Sequence, residues 1–179
     1  MYASRFTTRY GYGLVYANNE AVVKVVIPQM RHVNIEESDF LPEIVPSDLT
    51  DYSAHKLQSY YRGERVCFSD IPVCFGVVSS FRRTILNNIR GIGYGEVFTY
   101  GQIASRCGLP SAVRAVGGAL ASNPVPVIVP CHRIVASNGK LTGFSAPGGK
   151  DTKRELLQLE GVKFKGILVV TKQLVMNRT

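Results

Sequence analysis

The sequence predicts a two-part fold: a small N-terminal α/β domain followed by a mainly α C-terminal domain that contains a winged helix-turn-helix. Three observations predict it. Two apolar strand patterns flank an Asn-Asn turn within residues 13–30. Two short helix patterns are joined by Gly108, Leu109 and Pro110. An Asn138-Gly139 pair between apolar segments predicts a hairpin, which would form the wing.

The chain divides into three predicted parts: residues 1–75, residues 76–165, and a tail, residues 166–179, that could form a last strand. Within the first part, the acidic and proline-punctuated residues 31–46 are predicted to form a loop. Ser47 or Asp48 is expected to cap a helix that ends near Arg62.

Helices of the second part are predicted from apolar spacing and capping residues. Phe81, Ile85 and Ile89 recur every four residues and form one helix face. Thr99 is followed three residues later by Gln102, which is the pattern of a capping box at a helix N-terminus. These two signals place two helices before the Gly-Leu-Pro connection.

The next helix is expected to be capped by Ser111, with Val113, Val116 and Leu120 as its buried stripe. A last, charged helix is predicted from Asp151 to Glu160, ended by a glycine. The helix that follows Ser111 would be the second of the helix-turn-helix pair and therefore the one placed against a DNA groove.

The exposed face of that second helix carries unusually small residues. Arg114, Gly118 and Ala121 share this face, and Gly117 lies beside them. A helix that reads bases in the major groove carries Asn, Gln or several Arg side chains there. Each helical glycine costs about 1 kcal/mol relative to alanine. We expect close backbone approach to a partner to compensate, and tight helix–helix packing is the alternative.

The net charge of +8 is concentrated in the C-terminal part. Residues 76–179 carry fourteen Lys or Arg against four Asp or Glu, whereas residues 1–75 carry seven against nine. A basic half of this kind could follow a phosphate backbone, and a solvated basic surface is the alternative.

Cysteine and histidine usage argues against a structural metal site. The chain has four cysteines and three histidines, at Cys67, Cys74, Cys107, Cys131, His32, His55 and His132. None of the cysteines lies in a C-x-x-C pair, so we predict no bound metal. The N-terminus has no apolar signal core, and no apolar run is long enough to cross a bilayer. The sequence therefore predicts a cytoplasmic protein with reduced thiols and no membrane association.

The stretch "VPVIVPCHRIVASNG" offers a candidate nucleophile, Cys131, beside His132. A thiol becomes nucleophilic as the thiolate and needs a cationic or basic neighbour. If the segment is extended, the two side chains diverge and would communicate through a bend or a water molecule. Glu160 is the best available carboxylate to orient the imidazole. An inert core cysteine and a solvated glutamate are the alternatives.

Several ordered motifs carry a family resemblance: "GEVFTYGQIA", "RAVGGALASNP", "PVPVIVPCHRIV" and "GFSAPGGKDTKRELLQLEG". Over residues 80–161 the chain resembles the O6-alkylguanine-DNA alkyltransferases, also called methylated-DNA–protein-cysteine methyltransferases. The resemblance implies that residues 1–75 form an RNase H-like unit and that residues 76–165 bind DNA and transfer the alkyl group.

The resemblance also implies a catalytic set. Cys131 would accept the alkyl group from O6-alkylguanine, irreversibly and once per molecule. His132 would act as the base through a water molecule, held by Glu160. Tyr100 would donate a proton toward the guanine ring nitrogen as the base leaves. No cofactor is implied.

Substrate-binding roles follow in the same way. Ser145 and the backbone near Ile134 would hold the oxygen and amine of the guanine, and Phe144 would help to line the pocket. Asn123 would brace the turn between the recognition helix and the active-site strand.

The implied partner is double-stranded DNA that contains O6-alkylguanine, with O4-alkylthymine as a further candidate. The target nucleotide would be flipped out of the duplex. Arg114 would occupy the vacated space, and Ser111, Gly117, Gly118 and Ala121 would complete the DNA-contacting helix. The protein is expected to act as a monomer, in the cytoplasm or, in a eukaryote, the nucleus.

Two other function classes remain open from the residues alone. A winged-helix transcription regulator could use Cys131 as a redox sensor, although the glycine-rich helix face suits sequence reading poorly. A Cys–His hydrolase would turn over repeatedly and would be expected to have a neutral or peptide-like groove. The mass of the intact protein after incubation with O6-methylguanine DNA discriminates among the three, because only a methyltransferase gains a methyl group.

Overall fold

The computed structural model describes residues 1–28 and 44–170. The elements follow one another as β1 (Tyr2–Thr8), β2 (Gly11–Ala17), β3 (Val22–Val26), α1 (Asp48–Tyr61), α2 (Ser80–Ile89), β4 (Phe98–Thr99), α3 (Tyr100–Arg106), α4 (Val113–Ala121), a 3-10 turn (Cys131–Arg133), β5 (Ile134–Val135), α5 (Gly149–Leu159), β6 (Phe164–Lys165) and β7 (Leu168–Val169). No helix within the described ranges is long and apolar enough to span a bilayer.

An antiparallel sheet in the order β1-β2-β3 forms the N-terminal part, with α1 packed on it. The two strands predicted around the Asn-Asn turn are confirmed as β2 and β3, and the Asn18 side chain accepts the backbone N–H groups of Glu20 and Ala21. Strand β1 was not predicted, because its sequence YASRFTT mixes polar and apolar residues on both faces. Its Phe6 ring stacks on Tyr61 of α1 with ring centroids 5.8 Å apart.

Helix α1 begins at the predicted place. Ser47 is its N-cap and, together with Thr50, forms a capping box, and Arg62 is the C-cap. Its first turn is tied to the sheet, because Ser4 Oγ lies 2.7 Å from Thr50 Oγ1 and 2.6 Å from Asp51 Oδ1. Of the loop predicted over residues 31–46, residues 31–43 lie outside the described residues.

Helices α2, α3 and α4 pack against one another. The predicted capping box of Thr99 and Gln102 is confirmed at the start of α3, and Gly108 takes a left-handed φ of 72° after its end. The predicted Ser111 cap is wrong: α4 begins at Val113, with Ala112 as an N-cap that has no side-chain hydrogen bond. The connecting turn extends through Ala112, whose N–H donates to Leu109 O at 2.9 Å. Ser111 therefore lies within the turn and not at the start of the helix.

The buried stripe of α4 is also partly different from the prediction. Val116 and Leu120 are buried as expected, but Val113 is 40% exposed. Val113 is the first residue of the helix and borders a cavity.

The predicted hairpin at Asn138-Gly139 corresponds to a tight turn, in which Gly139 N–H donates to Ala136 O at 2.9 Å. Its flanking segments do not form a two-stranded ladder with each other beyond one Ala136–Lys140 backbone bond. Strand β5 instead pairs in parallel with β4, and Lys140 bridges to Leu168 of β7. The pairing is therefore with more distant segments.

The tail predicted to contain a last strand does so as far as it is described. Strands β6 and β7 form an antiparallel hairpin, and β7 lies within the predicted tail. Residues 171–179 lie outside the described part of the chain.

One buried apolar cluster draws on both halves of the chain, from Phe6 and Leu57 to Ile89, Ile103 and Leu156. Helix α1 and the 3-10 turn that carries Cys131 therefore share a core, so side chains of α1 can reach the C-terminal half. A smaller cluster supports the end of the domain and consists of Val97, Val135, Leu141, Leu157, Val162 and Val169.

Candidate active site

A cavity of about 550 Å³ lies between α3, α4 and the loop that follows β5. Seven of the residues predicted for the site line it: Tyr100, Arg114, Gly117, Ala121, Cys131, Phe144 and Ser145. Gly118 and Ser111 are exposed and lie outside this lining. The structure thus brings the candidate nucleophile to one concave surface with Arg114, Gly117 and Ala121 of α4.

The segment before Cys131 contains a strained residue and is closed by an asparagine side chain that also contacts the thiol. Val127 adopts φ 74°, which a β-branched residue rarely does. The Asn123 side chain closes the loop: its amide donates to Val129 O at 2.8 Å and to Cys131 Sγ at 3.2 Å, and its carbonyl oxygen accepts Val125 N–H. Asn123 therefore braces this turn and fixes the sulfur directly.

Cys131 opens the 3-10 turn rather than lying in a strand, and its side chain is only 5% exposed. Burial raises the pKa of the Cys131 thiol, because a thiolate would lose its hydration there, and the Asn123 hydrogen bond and the Lys153 charge lower it. The thiol is therefore protonated at neutral pH, and a base must remove its proton before it can act as a nucleophile.

Glu160 is the centre of a buried hydrogen-bond network behind the turn. Its Oε1 lies 2.8 Å from His132 Nε2 and accepts the Tyr60 hydroxyl at 2.7 Å. Arg133 donates from Nη2 to Oε1 at 2.8 Å and from Nε to Oε2 at 2.9 Å. The backbone N–H of Gly95 donates to Oε2 at 3.0 Å. Both carboxylate oxygens are thus supplied with donors.

This arrangement sets the protonation of the pair. Burial raises the pKa of Glu160, but the hydrogen bonds from His132 and Arg133 and the charge of the Arg133 guanidinium outweigh it and hold this pKa far below its usual range, so the carboxylate stays ionised. An ionised acceptor places the imidazole proton on Nε2 of His132. Burial lowers the pKa of His132, so the ring is neutral at pH 7 and Nδ1 keeps its lone pair. Nδ1 has no hydrogen-bond partner among the described residues.

Tyr100 projects into the cavity from the first turn of α3. Its hydroxyl lies 2.7 Å from Thr142 Oγ1. Burial raises the pKa of Tyr100, so the phenol carries its proton and can donate it. Gly117 of α4 faces this ring, and a Cβ atom there would make an ordinary van der Waals contact, 3.8 Å from Tyr100 Cε1.

Ile134 is placed differently from the other predicted binding residues. Its side chain is fully buried, and it does not line the cavity. Its carbonyl oxygen accepts a hydrogen bond from Lys153 Nζ at 2.5 Å. The backbone near Ile134 is therefore already engaged by the protein.

Four residues of the site escaped the sequence analysis: Tyr60, Arg133, Thr142 and Lys153. Arg133 could have been found, because it follows His132 directly and a buried carboxylate needs a cation. Tyr60 gave no signal, since it is 100 residues from Glu160 in the chain. Within residues 1–28 and 44–170, no group of three His, Cys, Asp or Glu side chains is arranged to hold a metal ion.

The Tyr60 hydroxyl is expected to stabilise the protein through its bond to Glu160. Tyr60→Phe should reduce the free energy of unfolding by about 1.5–3 kcal/mol, the usual contribution of a hydrogen bond to a charged group. Urea unfolding measures this, with Tyr52→Phe as control, because Tyr52 donates to Asp70 at an exposed position. Equal losses in the two variants would contradict the importance of the buried bond.

Comparison with known proteins identifies a family whose members are similar to this chain. A family profile described as "6-O-methylguanine DNA methyltransferase, DNA binding domain" matches residues 80–162. The chain is 36% identical over 169 residues to a methylated-DNA–protein-cysteine methyltransferase of Haemophilus influenzae, covering 92% of this chain and 88% of the relative. A Sulfolobus acidocaldarius protein of the same name is 45% identical over 114 residues, covering 64% of this chain and 69% of the relative.

Solved structures agree with these sequence matches. The crystal structure of Mycobacterium tuberculosis OGT in complex with DNA superposes with a TM-score of 0.70 at 28% identity, covering 89% of this chain and 92% of that one. An O6-methylguanine-DNA methyltransferase from Pyrococcus kodakaraensis gives 0.67 at 25% identity, covering 89% and 99%. The fold is therefore shared along most of the chain.

Proposed function

Because the chain belongs to the methylated-DNA–protein-cysteine methyltransferase family, we propose that it repairs O6-methylguanine in DNA by moving the methyl group onto its own Cys131. The observation that carries the choice of residue is the position of this thiol, which lines the cavity while His132 and Glu160 lie in the core behind it. The thioether product has no easy leaving group, so each molecule acts once.

Nδ1 of His132 is the free base of the site and accepts the thiol proton through an intervening water molecule. Sulfur then attacks the methyl carbon: the Sγ–C bond forms, the C–O6 bond breaks, and its electron pair passes to the guanine. Tyr100 gives its proton to a guanine ring nitrogen. The proton that His132 took from the thiol then restores the Tyr100 hydroxyl. The sum is a thiol and O6-methylguanine converted to a methyl thioether and guanine.

Glu160 acts on this sequence by holding the imidazole, not by taking the proton. Its oxygens already accept from Arg133, Tyr60 and Gly95, which makes the carboxylate a poor base. The same bonds fix the ring so that Nδ1 keeps one orientation when it becomes cationic.

The C-terminal part binds DNA as a helix-turn-helix, with α3 and α4 as the helix pair and residues 76–165 as the functional unit, and the tight turn at Asn138-Gly139 takes the place of the predicted hairpin wing. The N-terminal residues 1–75 form the RNase H-like unit that supports the site through α1. The partner is double-stranded DNA bound by a monomer, and the location is cytoplasmic or nuclear. Support comes from the basic C-terminal part and from the small residues of α4 that face the cavity.

The target base reaches Cys131 only if its nucleotide leaves the stack. Arg114 is exposed and lines the mouth of the cavity, where its side chain fills the space that the base vacates. Ser145 and Phe144 line the opposite wall and hold the extruded base. O4-alkylthymine can react in the same way if its smaller ring lies within reach of the proton that Tyr100 donates.

Arg114→Ala is expected to slow repair of duplex DNA by about tenfold or more, since each 1.4 kcal/mol of lost flipping assistance is a factor of ten. Reaction with free O6-benzylguanine should change much less, because it needs no flipping. Single-turnover rates on both substrates measure this, with Arg82→Ala, a change at an exposed arginine of α2, as a charge-loss control. Equal slowing on both substrates would point to damage in the pocket instead.

The other function classes fit the site poorly. Redox-sensing cysteines are accessible and have a low thiol pKa, whereas Cys131 is buried with a raised pKa. A Cys–His hydrolase pairs thiol and imidazole directly, whereas in the described residues the Sγ atom accepts from Asn123 and His132 Nε2 contacts Glu160.

Transfer of a labelled methyl group from duplex O6-methylguanine to the protein tests the proposal. The label should accumulate to one methyl per protein molecule and then stop, without any added cofactor. Repeated turnover, or label that stays on DNA, would contradict it.

A further inference from the structure

Thr142 lines the active-site cavity and takes no part in the proton transfers described above. Its Oγ1 atom lies 2.7 Å from the hydroxyl oxygen of Tyr100, which lines the same cavity. Among the described residues, Thr142 is the hydrogen-bond partner of the Tyr100 hydroxyl. The direction in which Tyr100 presents its proton to the cavity therefore depends on Thr142.

The two hydroxyl groups are brought together by backbone segments that are each anchored. Thr142 follows Leu141, which is 8% exposed and packs in the smaller apolar cluster with Leu157. Tyr100 is the first residue of α3 and follows its N-cap, Thr99. The pair is 42 positions apart in the chain, so tertiary packing and not local sequence sets this contact.

The chemistry of a hydroxyl group gives the pair two arrangements, because each hydroxyl has one proton to donate and two lone pairs that accept. When Thr142 accepts from Tyr100, the phenol proton lies between the two residues. When Thr142 donates, the Tyr100 oxygen accepts on that side and its own proton points elsewhere. A base in the cavity selects the second arrangement, since only then is the phenol proton available to it.

We propose that Thr142 is a positioning residue that acts through Tyr100: its hydroxyl donates to the Tyr100 oxygen, directs the phenol proton toward the guanine ring nitrogen and stabilises the phenolate that is left. The inference rests on the proposed methyl transfer with Tyr100 as the acid. Thr142 keeps its own proton throughout. The Tyr100 proton therefore still goes to guanine, and the thiol proton still goes to His132.

The electrostatics of Tyr100 agree with this role. Burial raises the pKa of the phenol, because a phenolate would lose its hydration there, and the Thr142 hydrogen bond lowers it. A phenol whose pKa is raised by burial alone would be a weaker acid in the transition state. The Thr142 bond therefore makes the proton easier to give while Tyr100 remains protonated at neutral pH.

Thr142→Val tests the proposal, because it removes the hydroxyl and keeps a β-branched side chain. We expect the maximum single-turnover rate on duplex O6-methylguanine to fall about tenfold, which is the loss of one hydrogen bond to a developing charge. The duplex concentration that gives half of this rate should not change. Thr142→Ser should restore most of the rate, and Thr84→Val, at an exposed position of α2, is the matched control.

A structural role for the same bond predicts a different result. If Thr142 only held the loop that carries Phe144 and Ser145, Thr142→Val would raise the half-saturating duplex concentration and leave the maximum rate unchanged. A maximum rate within about twofold of wild type would therefore overturn the proposal, whatever happens to the half-saturating concentration.

A double-mutant cycle shows through which group Thr142 acts. Tyr100→Phe has no phenol proton, so Thr142→Val should cause no further loss of the maximum rate in that background. A further tenfold loss there would mean that Thr142 acts on another group and would overturn the inference. Thr142→Ala also removes the hydroxyl and takes the place of Thr142→Val if that variant does not fold.

A last measurement needs neither DNA nor methyl transfer. In protein labelled with 3-fluorotyrosine, the ¹⁹F shift of residue 100, assigned with Tyr100→Phe, follows the ionisation of this phenol. We expect its pKa to be about one pH unit higher in Thr142→Val than in wild type, which is tenfold in acidity. An identical titration would overturn the inference even if wild type transfers methyl normally, whereas a wild-type protein that transfers no methyl would overturn the proposed function instead.

Discussion

We expect Cys131→Ser to abolish methyl transfer and to leave duplex binding close to that of wild type. A serine hydroxyl is a far weaker nucleophile than a thiol under the same base, because its proton is much harder to remove. The side chain is only 5% exposed and so contributes little surface to bound DNA. The hydroxyl can still accept from Asn123, which preserves the loop clamp.

Single-turnover transfer and a binding titration on the same labelled duplex measure both effects. Cys67→Ser and Cys107→Ser are the controls: Cys67 is exposed and Cys107 half-buried, and neither lines the cavity. Both should transfer as wild type does. A Cys131→Ser protein that is methylated at the wild-type rate would remove the sulfur from the mechanism.

The second large effect is expected for Glu160→Gln. The change leaves the Arg133 guanidinium buried without its carboxylate, and breaking such a pair costs about 3–5 kcal/mol of the free energy of unfolding. The amide also presents an N–H₂ group to a network built of donors from His132, Tyr60 and Gly95. Transfer should slow as well, because the imidazole loses the acceptor that fixes its proton on Nε2.

Acid titration gives the same network a pH signature. The pKa of Glu160 is lower in the folded than in the unfolded protein, so its stabilisation is complete above the ordinary value of 4.5 and is lost as the pH falls below it. As the pH is lowered from 6, the free energy of unfolding of Glu160→Gln should therefore fall less than that of wild type, because the variant has no carboxylate here to protonate. Glu155→Gln, on the same helix, is the control and should follow wild type. Parallel stability curves for all three proteins would contradict the assignment.

Local signals in the sequence were enough for much of the fold. The Ser47 and Thr99 caps, the Asn-Asn turn and the apolar face of α2 depend on residues within a few positions of one another, and the structure has them where they were expected. The predicted helix cap at Ser111 was wrong because the preceding turn is longer than its Gly-Leu-Pro residues suggest. The Asn138 hairpin failed because its strands pair with distant segments, which turn residues cannot specify.

The residues of the site likewise divide into those that local sequence signals could predict and those that they could not. Cys131 and His132 stand next to each other in the sequence, and Glu160 was chosen because few acids lie in that half; the structure places its oxygen 2.8 Å from the imidazole. Tyr60 and Lys153 could not be chosen, since their roles depend on burial in a shared core. A lysine on an amphipathic helix is ordinarily solvated, and only the packed structure shows that this one is not.

The most direct test of the account is the mass of the tryptic peptide that carries Cys131, taken after the protein reacts with duplex DNA containing O6-methylguanine. The account predicts one added methyl group on that peptide and none on the peptides that carry Cys67, Cys74 or Cys107. A methyl group on another peptide, or an unmodified Cys131 in protein that has repaired its DNA, would contradict it.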